Sequence, residues 1–404
     1  MSFTGMQVNW DDVWYDTEPF GAMRYYKGKA YIADAPWLLP AWNTTQPRIY
    51  TIDKNNTLEL IASMSDRRAE MSMGLEVFED KIFLAIYDTN SYSLYTYIMN
   101  LDGSNIQETQ HFQDSDHSDS AGVVSVLDRE NGKIYYQYHR KDSVSDLVFL
   151  RILEYNISTE TYTDYEIQEW PTRDWFWDSQ IDFYDGYIYL VQSYYDRTWE
   201  DVDHWFLNIR GVKYKPDGSE FYHVKITDRE EVDRYPSISV GEGQVFLLWR
   251  VTVNDLQAGK FGKTDLDFNN YEEIYVTNPQ ENDPFMQWPS LPIQIKDGIL
   301  YSMACWTPYV GHEVSQIRIN VNTQEFDYIV LVDSTDPNYP DTAGDSFFED
   351  YLFAMGDEGI FYYWHGYFDA ETWSTLCFAT GVWKYTVKYR YMKAIRGGTV
   401  TPIS

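Results

Sequence analysis

Seven times along these 404 residues a short polar turn, usually containing glycine, runs into an apolar segment that carries an aromatic residue. The copies begin at Gly28-Lys29-Ala30-Tyr31, Asp80-Lys81-Ile82-Phe83, Gly132-Lys133-Ile134-Tyr135, Gly186-Tyr187-Ile188-Tyr189, Gly243-Gln244-Val245-Phe246, Gly298-Ile299-Leu300-Tyr301 and Gly359-Ile360-Phe361-Tyr362. Aligned on their third residue they stand at 30, 82, 134, 188, 245, 300 and 361. The mean spacing is about 55 residues, which belongs to repeat architectures whose units cannot bury their hydrophobic faces alone and must stack. Before each turn lies a short segment such as Ala22-Met23-Arg24-Tyr25, Leu75-Glu76-Val77-Phe78, Val124-Ser125-Val126-Leu127 or Ile238-Ser239-Val240. Alternation of apolar and polar residues is the period of a strand with two unlike faces.

After the second strand comes a loop of variable length, then a hairpin. In the second copy that hairpin turns at Asp102-Gly103, in the fourth at Asp217-Gly218, and Asp-Gly between β-rich runs is a strong hairpin signal. Four strands per copy and seven copies predict an all-β fold, a seven-bladed β-propeller of four-stranded antiparallel blades spanning residues 20–390, which leaves only short edges exposed. Residues 1–19 form a leading segment, and 391–404 a basic, then polar, tail. The ring would close through a strand near Val382–Tyr389 or through Met6–Trp10 pairing across the seam. The turns Asn100-Leu101-Asp102-Gly103-Ser104-Asn105 and Lys215-Pro216-Asp217-Gly218-Ser219 resemble the outer-strand turns of TolB-like and YWTD-like propellers. The resemblance implies a propeller hairpin and no activity, and the Tyr-Trp-Thr-Asp tetrapeptide is absent.

The net charge of −32 repels a phosphate backbone, so nucleic acid is not an expected partner. No apolar stretch is long enough to span a bilayer, and Met1-Ser2-Phe3-Thr4-Gly5-Met6 shows no basic segment leading into an apolar run. Synthesis in a cytoplasm without membrane insertion is the expectation. Two cysteines, Cys305 and Cys377, are too few for a disulfide framework, although one bridge between them is open. Against the acidic whole, Lys384, Lys388, Arg390, Lys393 and Arg396 run to the C-terminus without an acid, as a frayed end or as a tether for an acidic neighbour.

Candidate site residues fall into three sets. The middle of each first strand carries Arg24, Glu76, Ser125, Asp182, Ser239, Gln294, and Phe353 or Met355. First strands line the channel of a propeller, so this polar set predicts either a wet channel wall or a ligand or cation held by Glu76 and Asp182. The second set is aromatic. Loops after the second strand and before the first strand share one face, and to these we assign Trp37, Trp42, Trp199, Trp205, Trp306, Tyr309, Trp364 and Trp373, with Trp175, Trp177 and Trp288. So much tryptophan in loops suits a protein interface or a stacking platform for sugar rings, with local loop packing as the plain alternative. The third set is Asp114, Asp116 and Asp119, spaced like a calcium loop but without its glycine and terminal glutamate, hence a weak metal candidate beside a solvated acidic loop.

Nucleophile elbows, glycine-rich phosphate loops and zinc spacings are absent, and with 63 acids a glycosidase pair can always be proposed. The expectation is therefore a non-enzymatic binding protein without a cofactor. Its general character resembles the propeller proteins of tailed-bacteriophage virions, which implies a structural or receptor-binding role among the other proteins of a large assembly, located in the virion, or in the cytoplasm if the chain is not phage-encoded. A carbohydrate-binding, lectin-like propeller is the alternative, and a propeller glycoside hydrolase or lyase a further one.

Overall fold

The computed structural model describes residues 22–34, 37–38, 43–44, 46–55, 57–69, 72–88, 91–113, 122–142, 147–171, 176–195, 207–227, 234–253, 256–277, 292–306, 313–332, 347–356, 360–369, 374–384, 392–393 and 401–402. Their architecture is an all-β propeller of four-stranded antiparallel blades. The chain divides into two compact units, Met1–Thr172 with Pro340–Tyr385, and Arg173–Tyr339 with Thr386–Ser404.

In the first unit, blade 1 is built from Ala22–Tyr26, Lys29–Asp34, Arg48–Asp53 and Leu58–Ser63, and blade 2 from Gly74–Phe78, Lys81–Asp88, Ser93–Asn100 and Gln107–Gln113. Blade 3 comprises Val123–Asp128, Lys133–Asp142, Leu147–Asn156 and Thr161–Pro171. The seventh repeat supplies three described strands, Phe347–Met355, Ile360–Asp369 and Ser374–Lys384. In the second unit, blade 4 comprises Phe176–Tyr184, Tyr187–Tyr195, Leu207–Tyr214 and Phe221–Lys225. Blade 5 follows with Arg234–Gly241, Gln244–Val253, Leu256–Asp265 and Glu272–Val276, then blade 6 with Ile293–Lys296, Ile299–Trp306, Glu313–Asn320 and Phe326–Val332. Of the tail, Met392–Lys393 pairs with Thr401–Pro402 and meets the outer strand of blade 6 at Tyr328. Val382 lies in the third strand of the seventh sheet, whereas residues 385–389 and Met6–Trp10, the remaining candidates for ring closure, lie outside the described residues.

The sequence repeat is a repeat of one hairpin. Tyr26 pairs with Lys29, and between them Lys27 and Gly28 take φ of 45° and 86°. Positive φ at both central residues defines the type I′ turn, whose twist matches that of the flanking strands. The turns at Asp185-Gly186, Glu242-Gly243 and Asp297-Gly298 are of the same kind. In blade 2 the pair is Glu79-Asp80, at 47° and 61°, so two side-chain-bearing residues occupy a backbone region that ordinarily favours glycine. Blade 3 departs from the pattern with a four-residue connection between Asp128 and Lys133, whose backbone amides at Glu130 and Asn131 are held by the Asp128 carboxylate.

The aromatic residue just past each turn explains why the blades associate. Tyr31 lies in an apolar cluster with Leu75, Val77 and Leu84 of blade 2. Phe83 does the same with Ile134 and Tyr136 of blade 3, Tyr189 with Ile238, Val240 and Leu247 of blade 5, and Tyr362 with Ala30 and Ile32 of blade 1. Each is a wedge driven into the next blade, and full burial of such a ring contributes about 1.5–3 kcal/mol. Glycine matters at one further place. Gly103, in the Asp-Gly-Ser turn of blade 2, has φ +76°, and a Cβ added there would meet the Ile61 carbonyl oxygen of blade 1 at 2.0 Å. That turn is therefore a contact between blades as well as a reversal of the chain.

Candidate functional site

The polar first-strand residues are brought together, and they are brought together as bonds between blades. Glu76 is 4% exposed, and its Oε1 accepts from Arg24 Nε at 3.1 Å, Arg24 Nη2 at 2.9 Å and Ser125 Oγ at 3.0 Å. Arg24 Nη2 donates again to the Ser125 carbonyl at 3.1 Å, and Nη1 to the carbonyl of Met23. One carboxylate and one guanidinium thus tie the first strands of blades 1, 2 and 3. The close approach has a backbone reason: a Cβ at Gly74 would lie 3.0 Å from that of Ser125, so the first strand of blade 2 opens on the residue that leaves Ser125 room.

In the second unit the same positions bond to backbone. Asp182 Oδ2 accepts from the Val240 amide of blade 5 at 2.7 Å, and its Oδ1 from its own neighbour Phe183 at 2.8 Å. Ser239 Oγ accepts from the Ile295 amide of blade 6 at 3.1 Å. Gln294 is exposed. In the seventh sheet the register corrects the expectation of Phe353 or Met355: Ala354 faces Tyr362 as Arg24 faces Tyr31. Phe353 and Met355 are both buried, and the polar series ends there in a methyl group. The inner turns are joined as well, by Lys27 Nζ to Asp80 Oδ1 at 2.6 Å, the Gly298 amide to Glu242 Oε1 at 2.8 Å, and the Tyr362 hydroxyl to the Gly28 carbonyl at 3.1 Å.

The aromatic set divides. Trp37 opens the two-residue strand Trp37–Leu38, which pairs with Asn43–Thr44; Trp177 falls inside Phe176–Tyr184, and Trp306 ends Ile299–Trp306. Trp364 is in mid-strand, opposite Leu352 and Thr380. These four therefore belong to strands rather than loops: Trp306 and Trp364 because the second strands run further than the short apolar motif suggests, Trp177 because the first strand of blade 4 begins earlier, and Trp37 because a short hairpin of its own follows the second strand of blade 1. Trp42, Trp175, Trp199, Trp205, Trp288, Tyr309 and Trp373, and the acids Asp114, Asp116 and Asp119, lie outside the described residues. Among the described residues no group of three or more His, Cys, Asp or Glu is arranged to hold a metal ion.

In the second unit, two charged side chains that sequence reasoning passed over are buried. Arg210 is 7% exposed and lies 3.9 Å from the centre of the Tyr194 ring; Arg250 is 7% exposed and 4.6 Å from that of Tyr235. Stacking of a guanidinium on an aromatic face keeps a desolvated cation favourable. The signal was an arginine among the apolar residues of Gln244–Val253 for Arg250, and a weaker one for Arg210, whose strand also carries Asn208 and Lys213. In the first unit, Asp88 ends the second strand of blade 2 at 1% exposure and accepts from the Arg68 amide at 2.9 Å and the Ser91 hydroxyl at 2.5 Å, which pins the connection from blade 1.

No family model and no curated protein matches the chain. Among solved structures it is similar to the β-propeller domain of the Trilobed protease from Pyrococcus furiosus, at 12% identity and TM-score 0.50 over 91% of this chain and 96% of that one. It is also similar to the polysaccharide lyase Uly1, at 9% identity and TM-score 0.51 over 91% and 90%. A variant of the α-L-arabinofuranosidase Arb93A from Fusarium graminearum matches at 8% identity and TM-score 0.52 over 80% and 98%. Likenesses at this identity establish the propeller fold and nothing of the chemistry.

Proposed function

We propose that the chain is a seven-bladed β-propeller that works by binding rather than by catalysis, as a structural or receptor-binding component of a large assembly of the kind a tailed-phage virion represents. The seventh blade rests on the seventh copy of the repeat, whose wedge Tyr362 packs as the others do. One observation carries the reading of function. The inner acids that a catalytic or cation site would draw on are committed to the fold, Glu76 to Arg24 and Ser125, and Asp182 to two backbone amides. Contact with a partner then falls to the loop edge, where the sequence concentrates tryptophan, the residue type that dominates protein interfaces. Gradient sedimentation of the protein from its natural source, with mass spectrometry of what travels with it, tests the proposal. Co-migration with particles or a large complex is the expected result. A free monomer that turns over a substrate would overturn it.

A carbohydrate-binding reading draws on the run from Asp174 to Asp178, which interleaves Trp175 and Trp177 with acids able to accept from sugar hydroxyls. A shift of tryptophan fluorescence with one member of a glycan panel, lost in Trp175→Ala, would move the weight to it.

A further inference from the structure

We propose that His111 is an acid-sensitive latch, holding the outer strands of blades 2 and 3 together only while its imidazole is neutral. His111 is the extra residue of a β-bulge in Gln107–Gln113: Gln110 pairs with Tyr95 and Phe112 with Leu94, and nothing on the neighbouring strand opposes the residue between them. A bulge re-aims a side chain. Here it turns the imidazole into the seam, where Nε2 lies 2.8 Å from Thr96 Oγ1 and the ring meets Tyr162 of blade 3 edge-on at 4.4 Å between centres. Thr96, 1% exposed, donates to the Tyr162 hydroxyl at 2.9 Å. With its one proton spent there, Thr96 must accept from Nε2–H, which leaves Nδ1 bare in the neutral ring. Tyr162 in turn packs on Tyr155 at 4.6 Å, and Tyr155 on the wedge Phe83 at 5.7 Å, so the latch connects to the core of the seam.

The groups facing this ring do not welcome a charge. From blade 3 the ring meets the phenol Tyr162, and the one charge of that blade that acts on it, Asp164, is already engaged by Tyr138 at 2.9 Å and by Arg151 at 3.0 Å. Arg140 of blade 3 sits over the adjacent Phe112 ring at 4.8 Å, a second cation near the seam. On the outer strand itself Glu108 is paired with Arg67. Among the described residues no carboxylate touches either ring nitrogen. Burial accordingly pushes the imidazole down to about 4, against a smaller upward pull from Asp164. An opened seam would free the ring to take up a proton at its ordinary value near 6.5, so acidification favours opening.

Hydrogen exchange of the full chain at pH 7.5 and pH 5.0, corrected for the intrinsic rates, reads this directly. Protection of the 107–113 amides should fall roughly tenfold to thirtyfold on acidification, the ratio expected for a group moving from about 4 to about 6.5 on opening. The outer strand of blade 5, Glu272–Val276, should not follow it. His111→Gln keeps a donor for Thr96 without a titratable ring and should abolish the pH response while preserving protection at pH 7.5. His139→Gln, which removes the buried imidazole of blade 3, should leave the response at 107–113 intact. A parallel loss of protection at Glu272–Val276 and 107–113, or an undiminished response in His111→Gln, would overturn the latch. Should His111→Gln fail to fold, the imidazole titration of the unmodified chain decides the matter: a His111 midpoint near 6.5 in the folded protein contradicts the proposal, and one below 5 supports it.

Discussion

Arg24, Glu76 and Ser125 in one unit, and Asp182 and Ser239 in the other, occupy one position of one repeat and reach the same end by different chemistry. In the first unit a charged pair spans the blades, side chain to side chain, with Glu76 as the shared acceptor. In the second unit each side chain caps a single backbone amide of the next blade. The two solutions differ in what they risk. An ion pair with a buried carboxylate is costly to break from the guanidinium side because it strands that carboxylate, whereas a side chain accepting from an amide is worth about one hydrogen bond. At these five residues polarity goes into stitching blades, and does not by itself mark a ligand site.

Substitutions at matched positions set the two units against each other. The largest effect should come from what the units share: Phe83→Ala and Tyr189→Ala each remove a wedge buried to 2% and 1% exposure, and each should cost about 3–5 kcal/mol in denaturant unfolding. Unequal costs would show that the units are not equivalent even in their cores. Glu76→Ala removes the carboxylate partner of Arg24, whose side chain is 38% exposed and still reaches the carbonyls of Met23 and Ser125, and should cost about 2–3 kcal/mol. Asp182→Ala should cost about 1–2 kcal/mol, and a larger loss there than at Glu76 would reverse the argument. Gly103→Ala forces a Cβ onto the Ile61 carbonyl and should cost about 2 kcal/mol or more, while Gly28→Ala, with open space around it, pays about 1 kcal/mol for its positive φ alone.

Acid should weaken the protein in a window set by the buried His139. His139, 2% exposed, is pushed down to about 4 by burial. Its unfolded value near 6.5 is higher, so the unfolded chain binds the proton more readily, and the stability it carries is full above 6.5 and lost as pH falls towards 4. Urea midpoints measured between pH 7.5 and 4.5 should decline less steeply in His139→Gln. The smallest effect belongs to the exposed turn of blade 2: Asp80→Gly relieves a positive φ but gives up Lys27, and should move the midpoint only slightly upward.

Much of the fold was legible because the repeat is written in residues with one physical meaning each. A Lys27-Gly28 or Asp185-Gly186 pair before an aromatic strand specifies a type I′ hairpin, and the recurrent Tyr or Phe specifies the wedge. Blade 2 shows the limit, since Glu79-Asp80 adopts the same turn without the glycine that announces it. The inner polar set was legible as a set, but not its partners: Glu76 and Ser125 are 49 residues apart, and only packing decides that they meet. Ala354 was missed because counting along the seventh copy is one residue out of register with its strand pairing. The latch at His111 was invisible, since a bulge shifts a side chain to the other face of a strand without a fixed sequence signature.

Whether the inner acids stitch blades or hold a ligand is decided by measuring stability and binding in one pair of variants. Glu76→Ala and Asp182→Ala are taken through denaturant unfolding and, at a temperature where both remain folded, through co-sedimentation with the native partner. Lowered unfolding free energy with undiminished partner binding is the result predicted for side chains that stitch blades. Unchanged stability with lost binding would contradict it, and would return both acids to a ligand site.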